Sequence, residues 1–163
     1  MTDSASSPGR VSAWAWPVAG AAVCLGLGLA SGLSTESGGG EWYQDLLKPP
    51  GNPPAWLFGP VWTVLYLLMG VAAGRLIHRR ASGAVTLFVI QFLLNLAWTP
   101  VFFGAHAIGW ALVIIFGIWG FLAFTIRSAD KADHLSAVLL LPYLLWIMYA
   151  TYLNAAIGWL NRA

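Results

Sequence analysis

The sequence predicts an all-α membrane protein, a bundle of five transmembrane helices, and three observations carry that expectation. Of its 163 residues, 59% are hydrophobic and only 9% are charged, with a mean hydropathy of +0.73. A soluble domain carries about 25% charged residues, so this chain has too few to solvate a globular surface. The apolar residues gather into five runs, each near the ~20 residues that cross a bilayer as a helix. Open strands do not survive in lipid with unpaired backbone groups, so each run is expected to be helical.

Residues 1–12, rich in Ser and other small residues, are expected to form a disordered tail, and residues 13–163 a single five-helix membrane domain. The spans are placed at Ala13–Leu33, Gly59–Ile77, Ala84–Phe103, Ile108–Ile126 and Leu135–Trp159. The first also has features of a secretory signal peptide. Its apolar part is longer than a typical h-region and Arg10 alone makes a thin basic flank, so a retained helix is expected. Two connections, HRRASG and GAHAIG, are short, and RSADKADHLS reads as a longer loop with both signs of charge.

The first loop, residues 34–58, is the distinctive one. From Gly40 to Trp62 the chain reads GEWYQDLLKPPGNPPAWLFGPVW, with five prolines and three tryptophans. Prolines fix φ and lack an N–H donor, so this stretch is not one regular element. A loop this long is more often functional than incidental. Flexible Gly38–Gly40 lead in and the stiff PPGNPP run leads out, as a movable cover on a fixed hinge would require. Trp42 and Trp56, each taken alone, read as membrane-interface belt residues.

Lys/Arg bias sets the expected topology. The N-terminus and the second and fourth loops hold Arg10, Arg75, Arg79, Arg80, Arg127 and Lys131, against only Lys48 and Arg162 elsewhere. The N-terminus is therefore expected in the cytoplasm, with the first loop and C-terminus outside. That bias governs insertion and does not choose between a bacterial inner and outer membrane as the destination.

Composition also excludes. A formal charge of +2 leaves no footprint for nucleic acid. Cys24, the single cysteine, allows no disulfide within the chain. His78, His106 and His134 are too scattered for a metal pair, so no metal is expected, and a lone axial histidine is the one route to iron ligation. No acid or base lies deep in a predicted span, which argues against an ion-coupled pump.

The remaining intramembrane polar groups are amides. Gln91, Asn95, Trp98 and Phe102 share one face of the third helix, spaced by four, three and four. Trp146, Ala150 and Asn154 recur at intervals of four on the fifth, as do Trp62, Tyr66 and Gly70 on the second. These faces serve either as helix–helix glue or as walls of a cavity roofed by the first loop, and spacing leaves both open. Pro100 and Pro142 are expected to free backbone carbonyls and kink their helices. The Gly70–Gly74 pair, and Ala22, Gly26 and Ala30, permit close helix contact within the bundle or across a dimer.

Three blocks, WYQDLLKPPGNPPAWLFGPVWTVLYLLMG, QFLLNLAWTPVFFG and PYLLWIMYATYLN, resemble in order and spacing the signatures of the tryptophan-rich sensory protein/translocator protein (TspO/MBR) family, that of the peripheral-type benzodiazepine receptor. The resemblance implies a five-helix bundle, a homodimer, and a pocket near the first loop that takes protoporphyrin IX or haem as ligand, with no required cofactor. Matched motif by motif, Trp62, Asn95, Trp98, Trp146 and Ala150 look like the pocket residues, and Tyr43, Pro53, Phe58 and Tyr66 are weaker matches. Some members of the family are reported to degrade protoporphyrin IX with light and oxygen. That implies Trp62 and Trp146 as the catalytic pair, since no acid, base or metal constellation is present. Transport of porphyrin, sterol or a similar amphiphile is the alternative function. Sterol is the less favoured ligand, because the family's cholesterol motif is absent: the basic residue after Tyr149 and Tyr152 is Arg162, beyond the allowed gap. Lys48, the one cation of the first loop, reads either as a propionate partner or as a snorkelling interfacial lysine.

Overall fold

A computed structural model of the chain describes residues 13–35 and 40–162. The expected tail at 1–12 and the Gly38–Gly39 lead-in lie outside the described residues. The long helices are α1 (Ala15–Leu33), α3 (Ala55–His78), α4 (Ser82–Thr99), α5 (Ile108–Ala132) and α6 (His134–Leu160), with a single-turn α2 (Glu41–Asp45) in the first loop. Each of the five expected spans is a helix long and apolar enough to cross a bilayer. Among the described residues there is no strand.

Three boundaries differ from expectation by more than two residues, each for a local reason. Helix α3 begins at Ala55 rather than Gly59, because Pro54 sits extended before it and the Leu57 N–H returns to the Pro54 carbonyl at 3.0 Å. RSADKADHLS is not a long loop. Helix α5 continues through it to Ala132, and one residue, Asp133, joins α5 to α6. Its N–H closes α5 on the Ala129 carbonyl at 2.7 Å, while its carboxylate accepts from the N–H and hydroxyl of Ser136 to open α6. The same carboxylate takes a bidentate pair from Arg75, at 2.7 and 2.8 Å. The Arg75 hydrogen bonds hold the Asp133 carboxyl well below the usual carboxylate range, so it stays charged although largely buried.

The third difference is at Pro100, where a π-turn replaces a simple kink. Pro100 has no N–H for the Leu96 carbonyl, and the chain widens over Pro100–Gly104, with the Ala105 N–H reaching the Pro100 carbonyl at 2.8 Å. The freed Leu96 carbonyl accepts instead from the Ser31 hydroxyl of α1, at 3.1 Å. Pro142 leaves α6 unbroken.

Helix α1 packs on α3 through small residues. A Cβ on Gly70 would overlap the backbone of Gly20 and Ala21, and one on Gly74 would overlap Trp16 and Pro17. The Gly70–Gly74 pair therefore serves the bundle interior, where van der Waals packing must replace the missing hydrophobic drive. The other small triad, Ala22, Gly26 and Ala30, faces outward, and a Cβ on Gly26 meets nothing. We expect Gly74→Ala to destabilise the protein in detergent by about 1–3 kcal/mol. Gly26→Ala should be neutral or slightly stabilising through helix propensity. Thermal unfolding of the two variants side by side measures the difference.

Candidate ligand-binding site

Under the first loop the five helices surround a cavity of about 280 Å³. These walls follow from the three- and four-residue spacings noted above. Trp62 and Tyr66 project from α3, Asn95 and Trp98 from α4, and Trp146, Ala150 and Asn154 from α6. Tyr43 and Phe58 close the loop end, so eight of the nine residues matched to the family pocket line the cavity. Pro53 does not; it is buried within the loop. Gly70 and Gln91 share helix faces with cavity residues but lie outside it. The Gln91 side chain is fully buried, and its amide has no hydrogen-bond partner among the described residues.

Tryptophan and tyrosine rings set the shape. Trp62 stacks on Tyr66 at 5.2 Å and meets Trp146 edge-on, with centroids 6.2 Å apart and planes at 83°. Phe58 caps Trp146 edge-on at 6.1 Å. Amides fix the rings in place. The Tyr66 hydroxyl donates to Asn95 Oδ1 at 3.0 Å. Asn154 accepts from Trp98 Nε1 at 3.1 Å and donates to the Ile108 carbonyl at 3.0 Å, tying α4, α5 and α6 together. So Asn154, read from spacing as either glue or wall, is both. The indole N–H of Trp62 and that of Trp146 have no hydrogen-bond partner among the described residues, while the Asn95 amide faces the Tyr143 hydroxyl. No Asp, Glu, Lys or Arg lines the cavity, and no group of three metal-binding side chains gathers among the described residues.

Some of the lining was not singled out beforehand. Gly28 and Gly32 of α1, and Ile115 and Ile118 of α5, also face the cavity. A Cβ on Gly28 would overlap the Tyr66 ring, so this glycine makes room for an aromatic wall residue. Its signal is the Gly20–Cys24–Gly28 register on the inward face of α1, two positions along and so on the opposite side from the triad that drew attention.

The loop is latched to α6. Asn161 pairs with both backbone groups of Leu47 at 3.0 Å, Tyr152 donates to the Pro50 carbonyl at 3.0 Å, and Tyr149 donates to Gly51. Inside the loop, the Tyr43 hydroxyl donates to Asn52 at 3.0 Å, and burial pushes this phenol up from its ordinary pKa, keeping it neutral. Lys48 does not point to the cavity: its ammonium caps the Gln44 and Leu46 carbonyls at 2.9 and 3.2 Å and lies over the Tyr43 ring. Trp56, 71% exposed, sits as a belt residue would. Trp42 does not. It stacks on His106 with centroids 4.1 Å apart and packs edge-on against Phe102, holding the loop to the π-turn.

This fold and cavity define a class: a multi-pass integral membrane protein whose five helices enclose an aromatic site under a latched loop. The TspO/MBR family model matches residues 20–160, and the chain belongs to that family. It is 38% identical over 144 residues to the tryptophan-rich protein TspO of Chlorobaculum tepidum, covering 85% of this chain and 91% of the relative. It is 43% identical over 115 residues to the tryptophan-rich sensory protein of Cereibacter sphaeroides, covering 70% and 73%. The human translocator protein is 36% identical over 156 residues, with 88% and 92% covered.

The latch should be measurable. Each of its hydrogen bonds is worth about 1 kcal/mol, so Asn161→Ala or Tyr152→Phe should speed amide exchange of the loop roughly fivefold or more. Exchange in the middle of α5 should not change.

Proposed function

We propose that the cavity binds a tetrapyrrole, protoporphyrin IX or haem, and that the protein is a membrane sensor or regulator of such ligands. The observation that carries this reading is the lining itself: indole and phenol faces on several sides, two uncommitted indole N–H donors, and no charge. A flat apolar macrocycle stacks on such faces and brings acceptors to such donors. At about 280 Å³ the cavity is near the lower edge of the ~300–1,000 Å³ usual for small-molecule sites, and a whole macrocycle needs more. Binding on this reading displaces the loop or α1 and leaves the propionates at the aqueous rim. The name of one relative, a tryptophan-rich sensory protein, fits a sensor, and that of another, a translocator protein, fits the transport alternative. The orientation that goes with it has the N-terminus in the cytoplasm and the loop outside, by the Lys/Arg bias. The homodimer implied by the resemblance belongs to the same reading.

Transport of porphyrin, sterol or a like amphiphile is the alternative; an uncharged cavity leaves it only passive passage. A second activity, light-dependent oxidation of the bound porphyrin by oxygen, is favoured by one observation. The edge-on Trp62–Trp146 pair lines the cavity where a photoexcited macrocycle would meet electron-rich indoles.

Protoporphyrin IX titrated into the detergent-solubilised protein should quench tryptophan fluorescence saturably. Trp146→Ala should weaken binding by about 1–3 kcal/mol, the range for a base–aromatic stacking contact; full affinity in that variant would displace the site. For the light reaction, porphyrin absorbance should decay under illumination in air and slow at least tenfold in Trp62→Phe and Trp146→Phe. Decay at the parent rate in both variants would remove the two indoles from the chemistry, and flux into proteoliposomes would speak for transport.

A further inference from the structure

At the end of the bundle away from the loop, α4 and α5 leave a second, shallow groove, lined by Leu87, Phe124, Arg127, Ser128 and Lys131. Its chemistry is ordered along the helix axis. Phe124, 63% exposed and apolar, lies furthest into the span. Arg127 and Ser128 follow one turn later, and Lys131 one turn beyond them, at the last turn of α5. Over about 10 Å the groove therefore passes from hydrocarbon-like to cationic, with Leu87 of α4 beside it.

These cations are unspent. At this end the described acids are Asp130 and Asp133. Asp130 contacts His134 at 2.6 Å, and Asp133 is taken by Arg75 and, at 3.7 Å, by Arg79. Arg127, Lys131 and the Ser128 hydroxyl have no partner among the described residues. A helix C-terminus accounts for one cation nearby, yet two on one face, flanking a hydroxyl and continuous with an exposed phenyl ring, exceed that need.

We infer that this groove is a binding site for one anionic phospholipid. The phosphate sits between Arg127 and Lys131 with Ser128 donating to it, and an acyl chain runs over Phe124 and Leu87. The site is separate from the cavity under the loop and independent of its ligand. Charge complementarity selects an anionic head group over a zwitterionic one, and the apolar floor selects a lipid over a free anion.

The test uses the full chain in detergent, with bound lipid counted by native mass spectrometry during titration with phosphatidylglycerol or phosphatidylcholine. Phosphatidylglycerol should be retained in preference. The double variant Arg127→Gln/Lys131→Gln should bind it roughly thirtyfold more weakly, at about 1 kcal/mol per cation near a membrane surface, with an unchanged unfolding midpoint without lipid. Phe124→Ala should also weaken retention. Arg80→Gln, a charge at the same end outside the groove, should leave it unchanged. Equal retention of the two lipids, an undiminished count in the double variant, or an equal loss in Arg80→Gln would overturn the site, the last by showing only diffuse attraction. Displacement of the lipid by inorganic phosphate as effectively as by phosphatidylglycerol would overturn the role of the apolar floor and leave an anion site.

Discussion

A hydrocarbon interior offers no water to a stray carbonyl or N–H, and this structure is organised around finding partners for them. Helices supply almost all of those partners internally. Pro100 removes one, and the Leu96 carbonyl it frees is taken by Ser31 across the helix interface. The chain beyond Pro100 widens by one residue per turn, which gives the upper part of α4 its own course. Trp98, just before that widening, and Phe102, within it, stack on each other at 4.9 Å and face the cavity. A missing donor thus shapes the wall of the site, and a hydroxyl from α1 makes the omission tolerable.

Much of this was legible in the residues. Five apolar runs and the shortage of charge are enough for five spans, because bilayer thickness and backbone pairing leave few alternatives. Aromatic, amide and small residues repeating every three or four positions placed Trp62, Tyr66, Asn95, Trp98, Trp146 and Ala150 on faces that do converge. What spacing could not supply was the rotation of one helix relative to another. Gln91 follows the rule for the Asn95 face yet points into packed interior. Gly28 escaped notice because its role, admitting the Tyr66 ring, exists only once α1 and α3 are side by side.

The charged segment between α5 and α6 misled for a different reason. Mixed charge reads as loop when it is judged by polarity, yet Ala, Arg and Lys are good helix formers. At the membrane surface their heads reach water while the helix continues. Asp133 ends the run by capping two helices and pairing with Arg75 of a third, a combination that depends on tertiary contact. The Lys48 role was equally hidden, since its carbonyl partners arise only from the single turn of α2.

Helix α1 is fastened unevenly along its length. Its first half is in backbone contact with α3 at Gly20, Gly70 and Gly74, while its second half is held by side chains and the Ser31 hydrogen bond. Mechanically it is a cantilever, clamped at one end, whose freer end carries Gly28, Leu29, Gly32 and Leu33 along the cavity. The other walls are rods cross-braced by Asn154 and Asn95. The compliance of the site is therefore concentrated in one beam, so guests of different thickness would be met by its deflection before any repacking of the aromatic walls.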